Sequence, residues 1–102
     1  MPRFDGVDLG AWKDDRGACK GVREEMIPAI DQQKEKLLAL READIISVLG
    51  KPDENELYKR NQKFFYYNLQ PSKDCSSSAV DAPKQLVIRF NAMGLAKEIS
   101  IE

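Results

Sequence analysis

The chain contains no histidine, which removes the side chain that most often serves as general base and metal ligand near neutral pH. Catalysis would then rest on paired carboxylates or on an activated cysteine. No apolar run approaches the roughly 18 residues needed to cross a bilayer, and Met1-Pro2-Arg3-Phe4-Asp5-Gly6 has no signal-peptide core. The chain is therefore expected to be either cytoplasmic or a mature chain whose leader has been removed. An excess of one charge is also missing: 16 basic and 17 acidic residues leave a net charge of -1. The signs are interspersed, so there is no electrostatic footprint for a polyanion, and nucleic acid is not an expected partner.

Cysteine is scarce as well. Cys19 and Cys75 lie far apart and match no metal-ligand spacing. As a pair they suggest one disulfide and an oxidising compartment; the alternative is two unrelated buried thiols. Gly17-Ala18 stands before Cys19 as in a lipoprotein cleavage site, but Ala11-Trp12-Lys13-Asp14-Asp15-Arg16 is too polar for the segment such a signal needs. Cys19 is not read as a lipidated residue.

What is present suits one soluble domain. The 102 residues are 42% apolar and 32% charged, enough for one core and one sheet. Residues 1–13 hold Phe4, Val7, Leu9 and Trp12 without sustained periodicity and read as an extended arm whose aromatics dock on the domain formed by 14–102. From Asp14-Asp15, the residues Cys19, Val22, Met26, Ala29, Ile30 and Leu37 fall at helical spacing and predict a long helix. Pro28 inside it requires a kink near Glu24 or a restart at Pro28. A second helix is predicted over 42–49, with Leu40 and Ile45 as a hydrophobic staple and Asp44 at the third position. Gly50 and Pro52 end it, Gly50 as a left-handed residue.

After Asp53 the period changes to alternation, with strands predicted over 56–60, 63–69, 85–90 and 95–101. Arg60-Asn61-Gln62 reads as a tight connection pairing the first two strands, and Asn91-Ala92-Met93-Gly94 as a hairpin turn pairing the last two. Between the pairs, Pro71 through Pro83 forms a long polar loop with a serine run. The expected fold class is α+β, two helices packed on one face of an antiparallel sheet of three to four strands.

The helix exit Leu49-Gly50-Lys51-Pro52-Asp53, the aromatic strand Phe64-Phe65-Tyr66-Tyr67 and the closing Ile88-Arg89-Phe90-Asn91 hairpin with Gly94 together form a pattern over residues 37–102. This pattern resembles the small outer-membrane lipoprotein domain of the BamE (SmpA/OmlA) family and the repeat units of β-lactamase inhibitory proteins. The resemblance implies a two-layer domain on the periplasmic side of an outer membrane that works by binding other proteins.

No acid cluster reads as catalytic. Asp14-Asp15, Glu24-Glu25 and the pair Glu54 and Glu56 fall at helix starts or on solvated segments. Cys19 is placed on the apolar face with Val22, Met26 and Ile30, where a thiol is buried or bridged rather than activated. Along the aromatic strand, Phe65, Tyr67 and Leu69 are assigned to the core, as are Leu86, Ile88 and Phe90 of the third strand. That leaves Phe64, Tyr66, Val87 and Arg89 facing outward, with Tyr58 beside them, a composition enriched in protein interfaces. The alternatives are that Phe4 or Trp12 of the arm covers this face, or that a homodimer does.

The function expected from these readings is a non-enzymatic exported protein-binding or scaffold module with no cofactor and no metal. Membrane association would come only through a lipid anchor outside this sequence. The competing reading is a cytoplasmic small-ligand or regulatory domain, with both cysteines reduced and the serine loop closing over a pocket. A carboxylate hydrolase ranks below both.

Overall fold

The computed structural model describes residues 4–58, 62–71, 75 and 83–102, the side chain of Tyr58 excepted. The order is α1 (Leu9–Asp14), a 3-10 turn (Arg16–Ala18), α2 (Val22–Glu25), α3 (Ile27–Gln33), a second 3-10 turn (Lys34–Leu37), α4 (Glu42–Leu49), β1 (Glu54–Tyr58), β2 (Gln62–Asn68), β3 (Gln85–Phe90) and β4 (Ala96–Ile101). The four strands form one antiparallel sheet in the order β1-β2-β3-β4. The class is α+β, with more and shorter helices than the two expected.

The first difference is at the arm. Residues 9–14 are helical rather than extended, because the Asp8 carboxylate accepts the Ala11 N–H at 3.1 Å and caps the helix start. Trp12 is completely buried, and its indole N–H donates to the Leu49 carbonyl at 3.0 Å. Lys13 Nζ reaches the Ser47 carbonyl at 2.8 Å. α1 thus supplies donors for carbonyls at the end of α4 that have no intrahelical partner. Phe4 is also buried in the core cluster.

The second difference is the predicted long helix from Asp14, which is broken. Gly21 takes φ 78°, a left-handed conformation that costs glycine little. The Asp15 carboxylate takes the amides of Lys20, Val22 and Arg23 at 2.7, 2.9 and 3.1 Å, which closes the turn and starts α2. Met26 then separates α2 from α3, with Pro28 in the first turn of α3, where its missing N–H costs nothing. Asp15, read as a helix-start acid, is a buried turn-forming residue.

α4 runs as predicted over Glu42–Leu49. Its start is tied by Arg41 N–H to Asp44 Oδ2 at 3.4 Å, and Ile45 is fully buried beside half-buried Leu40. At its end Gly50 has φ 81° and ψ -174°. This is not the left-handed helical conformation expected there but an extended mirror region that is essentially glycine-only.

The strand faces follow the predicted alternation. Phe65, Tyr67, Leu69, Leu86, Ile88 and Phe90 join Trp12, Ile30, Leu37, Ile45, Val48 and Leu49 in one buried cluster. Phe65 and Phe90 meet edge to face at 4.7 Å. In β4 the register shifts next to Phe90, so Glu98 pairs with Arg89 but Ala96 with Phe90, leaving Lys97 as the extra residue. The bulge lets Ala96, Ile99 and Ile101 all align with inward residues of β3, although their spacing breaks strict alternation. Ala96 also exchanges backbone bonds of 2.8 Å with Ala39 N–H and the Leu40 carbonyl, which ties the α3–α4 connection to this edge.

Candidate functional site

The outer face is set by the register. Phe64 pairs with Glu56 and Arg89, and Tyr66 with Glu54 and Val87; across β4, Val87 meets Ser100 and Arg89 meets Glu98. Phe64 and Tyr66, two apart on one strand, stack nearly parallel at 11° with centroids 6.2 Å apart, and both are half-buried. Arg89 Nε lies 3.5 Å from Glu98 Oε1 on the neighbouring strand. Val87 shares this face by register yet is only 7% exposed, because it is short, lies on an inner strand and is flanked by Tyr66 and Ser100. It underlies the patch rather than forming open surface. Tyr58 ends β1 opposite Gln62; its side chain lies outside the described residues. Phe4 and Trp12, the aromatics that could have covered this face from the arm, are buried in the core cluster instead.

A second constellation was not anticipated. Arg23 is completely buried with its guanidinium 4.6 Å from the centroid of the Trp12 ring. Its Nε donates to the Trp12 carbonyl at 2.9 Å, and Nη1 to Asp53 Oδ2 at 2.7 Å and the Asn68 carbonyl at 3.2 Å. Nη2 has no partner among the described residues. Asp53 also accepts the Asn68 N–H at 2.7 Å and the Gly17 N–H at 2.9 Å, with Arg16 Nε 3.8 Å away.

The reason for this cluster lies in the helix exit. Before Glu54 the regular β1–β2 ladder ends: Asp53 gives its N–H to the Tyr66 carbonyl at 2.9 Å, and Pro52 has no N–H to give. The Asp53 and Arg23 side chains satisfy the Asn68 backbone, so the Gly-Lys-Pro-Asp exit and Arg23 act as one unit. Tyr67 completes it by donating to the Gly50 carbonyl at 2.8 Å. Burial, and then the Asp53 carboxylate, push its phenol well above the ordinary 10.0, so it stays a neutral donor. The sequence did carry a signal: Arg23 lies three before Met26 and seven before Ile30, a lone cation on the apolar stripe.

Cys19 and Cys75 form a disulfide, with Cα atoms 5.4 Å apart. Cys19 sits in the exposed turn before α2, not on a helical apolar face with Val22, Met26 and Ile30, because the break in the long helix removes that face. Cys75 is buried; the remainder of the serine run expected to close over a pocket lies outside the described residues, as do Arg60 and Asn61, whereas Gln62 opens β2. Two shallow hollows are lined by described residues. One of about 320 Å³ lies between α4 and β1, lined by Ile46, Pro52, Asn55, Lys63 and Phe65 among others. Another of about 270 Å³ lies by Leu38, Asn91 and Leu95.

Glu24 and Glu25 are exposed on α2, and Glu54 and Glu56 on β1. Among the described residues no three His, Cys, Asp or Glu side chains gather as a metal-binding group, and no helix is long and apolar enough to cross a membrane. No protein-family model, curated protein or solved structure matches the chain.

Proposed function

We propose that this protein is a non-enzymatic exported module that binds another protein through the outer face of its sheet, as a component of a cell-envelope complex. The observation that carries this reading is the Phe64 and Tyr66 stack, half-buried on the same sheet face as Arg89. Aromatic side chains and arginine on one rigid strand surface supply contact area at small entropic cost. The Cys19–Cys75 disulfide supports export, since such bonds persist in oxidising compartments. The resemblance to the BamE family supports the periplasmic, outer-membrane-anchored placement.

The acids supply no rival chemistry at the buried cluster. Asp15 and Asp53 spend their carboxylate oxygens on backbone amides and on Arg23. Tyr66→Ser is the test. It should preserve the circular dichroism spectrum while releasing a partner that the wild-type protein retains from envelope extracts. Retention of the same partner by the folded variant would remove the outer face from the binding site, and a wild-type dimer that Tyr66→Ser dissociates would assign the face to self-association.

A further inference from the structure

β1 is a terminal strand of the sheet. Leu69 N–H donates to Lys84 across the β2–β3 pair, so the odd residues of β2 turn their backbone groups toward β3 and the even ones toward β1. The even residues of β1 answer them at Glu54–Tyr66, Glu56–Phe64 and Tyr58–Gln62. The N–H and C=O groups of Asn55 and Leu57 therefore point away from the sheet, and no backbone bond among the described residues takes them up. Leu57 is 73% exposed, and the hollow of about 320 Å³ lies by Asn55 of the same strand, lined also by Ile46, Pro52 and Lys63. Exposed strand edges of this kind template the addition of another strand.

The side chains say what kind of strand fits. On the outer face of β1, Glu54 and Glu56 are both exposed, and neither forms an ion pair with a described residue. An added strand sets its alternate side chains beside these acids and the intervening ones beside Leu57 and the hollow. We propose that the β1 edge captures an extended segment of a partner protein in which basic residues alternate with apolar ones, adding it as a fifth strand. A second copy of this chain fits less well. Antiparallel pairing of β1 with itself in the register of full overlap places Glu56 against Glu56, a like-charge contact that destabilises the pair.

This edge is separate from the outer-face reading and is tested without it. The probe is a synthetic peptide alternating lysine with valine, with a glutamate-for-lysine peptide as its control, followed by amide NMR of the full chain. Binding of the lysine peptide should shift the Asn55 and Leu57 amides and protect them from exchange, and the glutamate peptide should bind at least roughly tenfold more weakly. Asn55→Pro deletes one outward N–H that makes no bond among the described residues, so the fold should survive while affinity falls roughly five- to tenfold. If that variant does not fold, the Glu54→Lys and Glu56→Lys double variant decides, because it should invert the preference between the two peptides. Equal binding of both peptides to the wild-type chain, shifts confined to Phe64 and Tyr66, or a concentration-dependent β1–β1 dimer would each overturn the proposal.

Discussion

Around Arg23 the molecule buries charge and surrounds it with partners, whereas on the outer face it stacks half-buried aromatic rings and at the β1 edge it turns backbone groups outward. Arg23 itself is fully buried, with bonds to Trp12, Asp53 and Asn68. A few residues away on the same strands, Phe64 and Tyr66 stand half-buried and Leu57 is open to solvent. The contrast separates two uses of polar and aromatic groups. A buried ion pair enclosed by backbone bonds leaves no approach for a ligand and holds the fold in place, while rings and strand edges left on a rigid sheet are suited to contact with another molecule. The site is therefore sought on the half-buried sheet face and at the open strand edge, not where the charges are most concentrated.

The sharpest way to break this contrast is to remove one half of the buried pair. Asp53→Ala leaves Arg23 without its anion and the Asn68 and Gly17 amides without their acceptor. It should cost roughly 3 to 5 kcal/mol in urea unfolding, the range for an orphaned buried charge. A loss below about 1 kcal/mol, the range of an exposed pair, would show that water reaches Arg23 and that the two regions do not differ as described.

Next in size is the bridge that ties the turn beside Asp15 to Cys75. Replacing both cysteines with serine reopens a loop of 56 residues, and should lower stability by roughly 3 to 4 kcal/mol on the chain-entropy account. Thiol titration of the unreduced, denatured wild-type protein is the direct check: two free thiols per chain would contradict the bridge.

Gly50→Val should cost less, about 1 to 3 kcal/mol, because it forces a β-branched residue into a glycine-only backbone region. The added β-carbon would also lie 3.2 Å from Lys13 Cγ. An unchanged denaturant midpoint would show that the helix exit tolerates another conformation. Smallest of all, Tyr66→Ser should change stability by no more than about 1 kcal/mol, the scale of one cross-strand contact, while abolishing partner retention. Unfolding by this substitution would make the outer face part of the core and erase the contrast from the other side.

By itself the sequence determined those parts of the protein that depend on short-range chemistry. The apolar spacing and the glycine-proline exit define α4, and period-two alternation places Phe65, Tyr67, Leu86, Ile88 and Phe90 inward because successive strand side chains must face opposite ways. Asn91 and Gly94 form the last turn, with Asn91 Oδ1 accepting the Met93 and Leu95 amides at 3.0 and 3.1 Å.

Tertiary structure alone decided the rest. The stripe from Cys19 to Leu37 has helical spacing, but Asp15 accepts three amides across a turn there and Gly21 takes a left-handed φ, so the helix is broken. Trp12 becomes helical and buried because the end of α4 presents a carbonyl to its indole. Val87 is outward yet covered, since burial on an inner strand depends on both neighbours and not on its own facing. Arg23 and Asp53, thirty residues apart, meet over the Asn68 backbone, whose N–H goes to Asp53 and whose carbonyl accepts from Arg23. That bond was not legible in the local pattern: a strand's backbone carbonyl is met by a side chain from a distant helix only after the chain has folded.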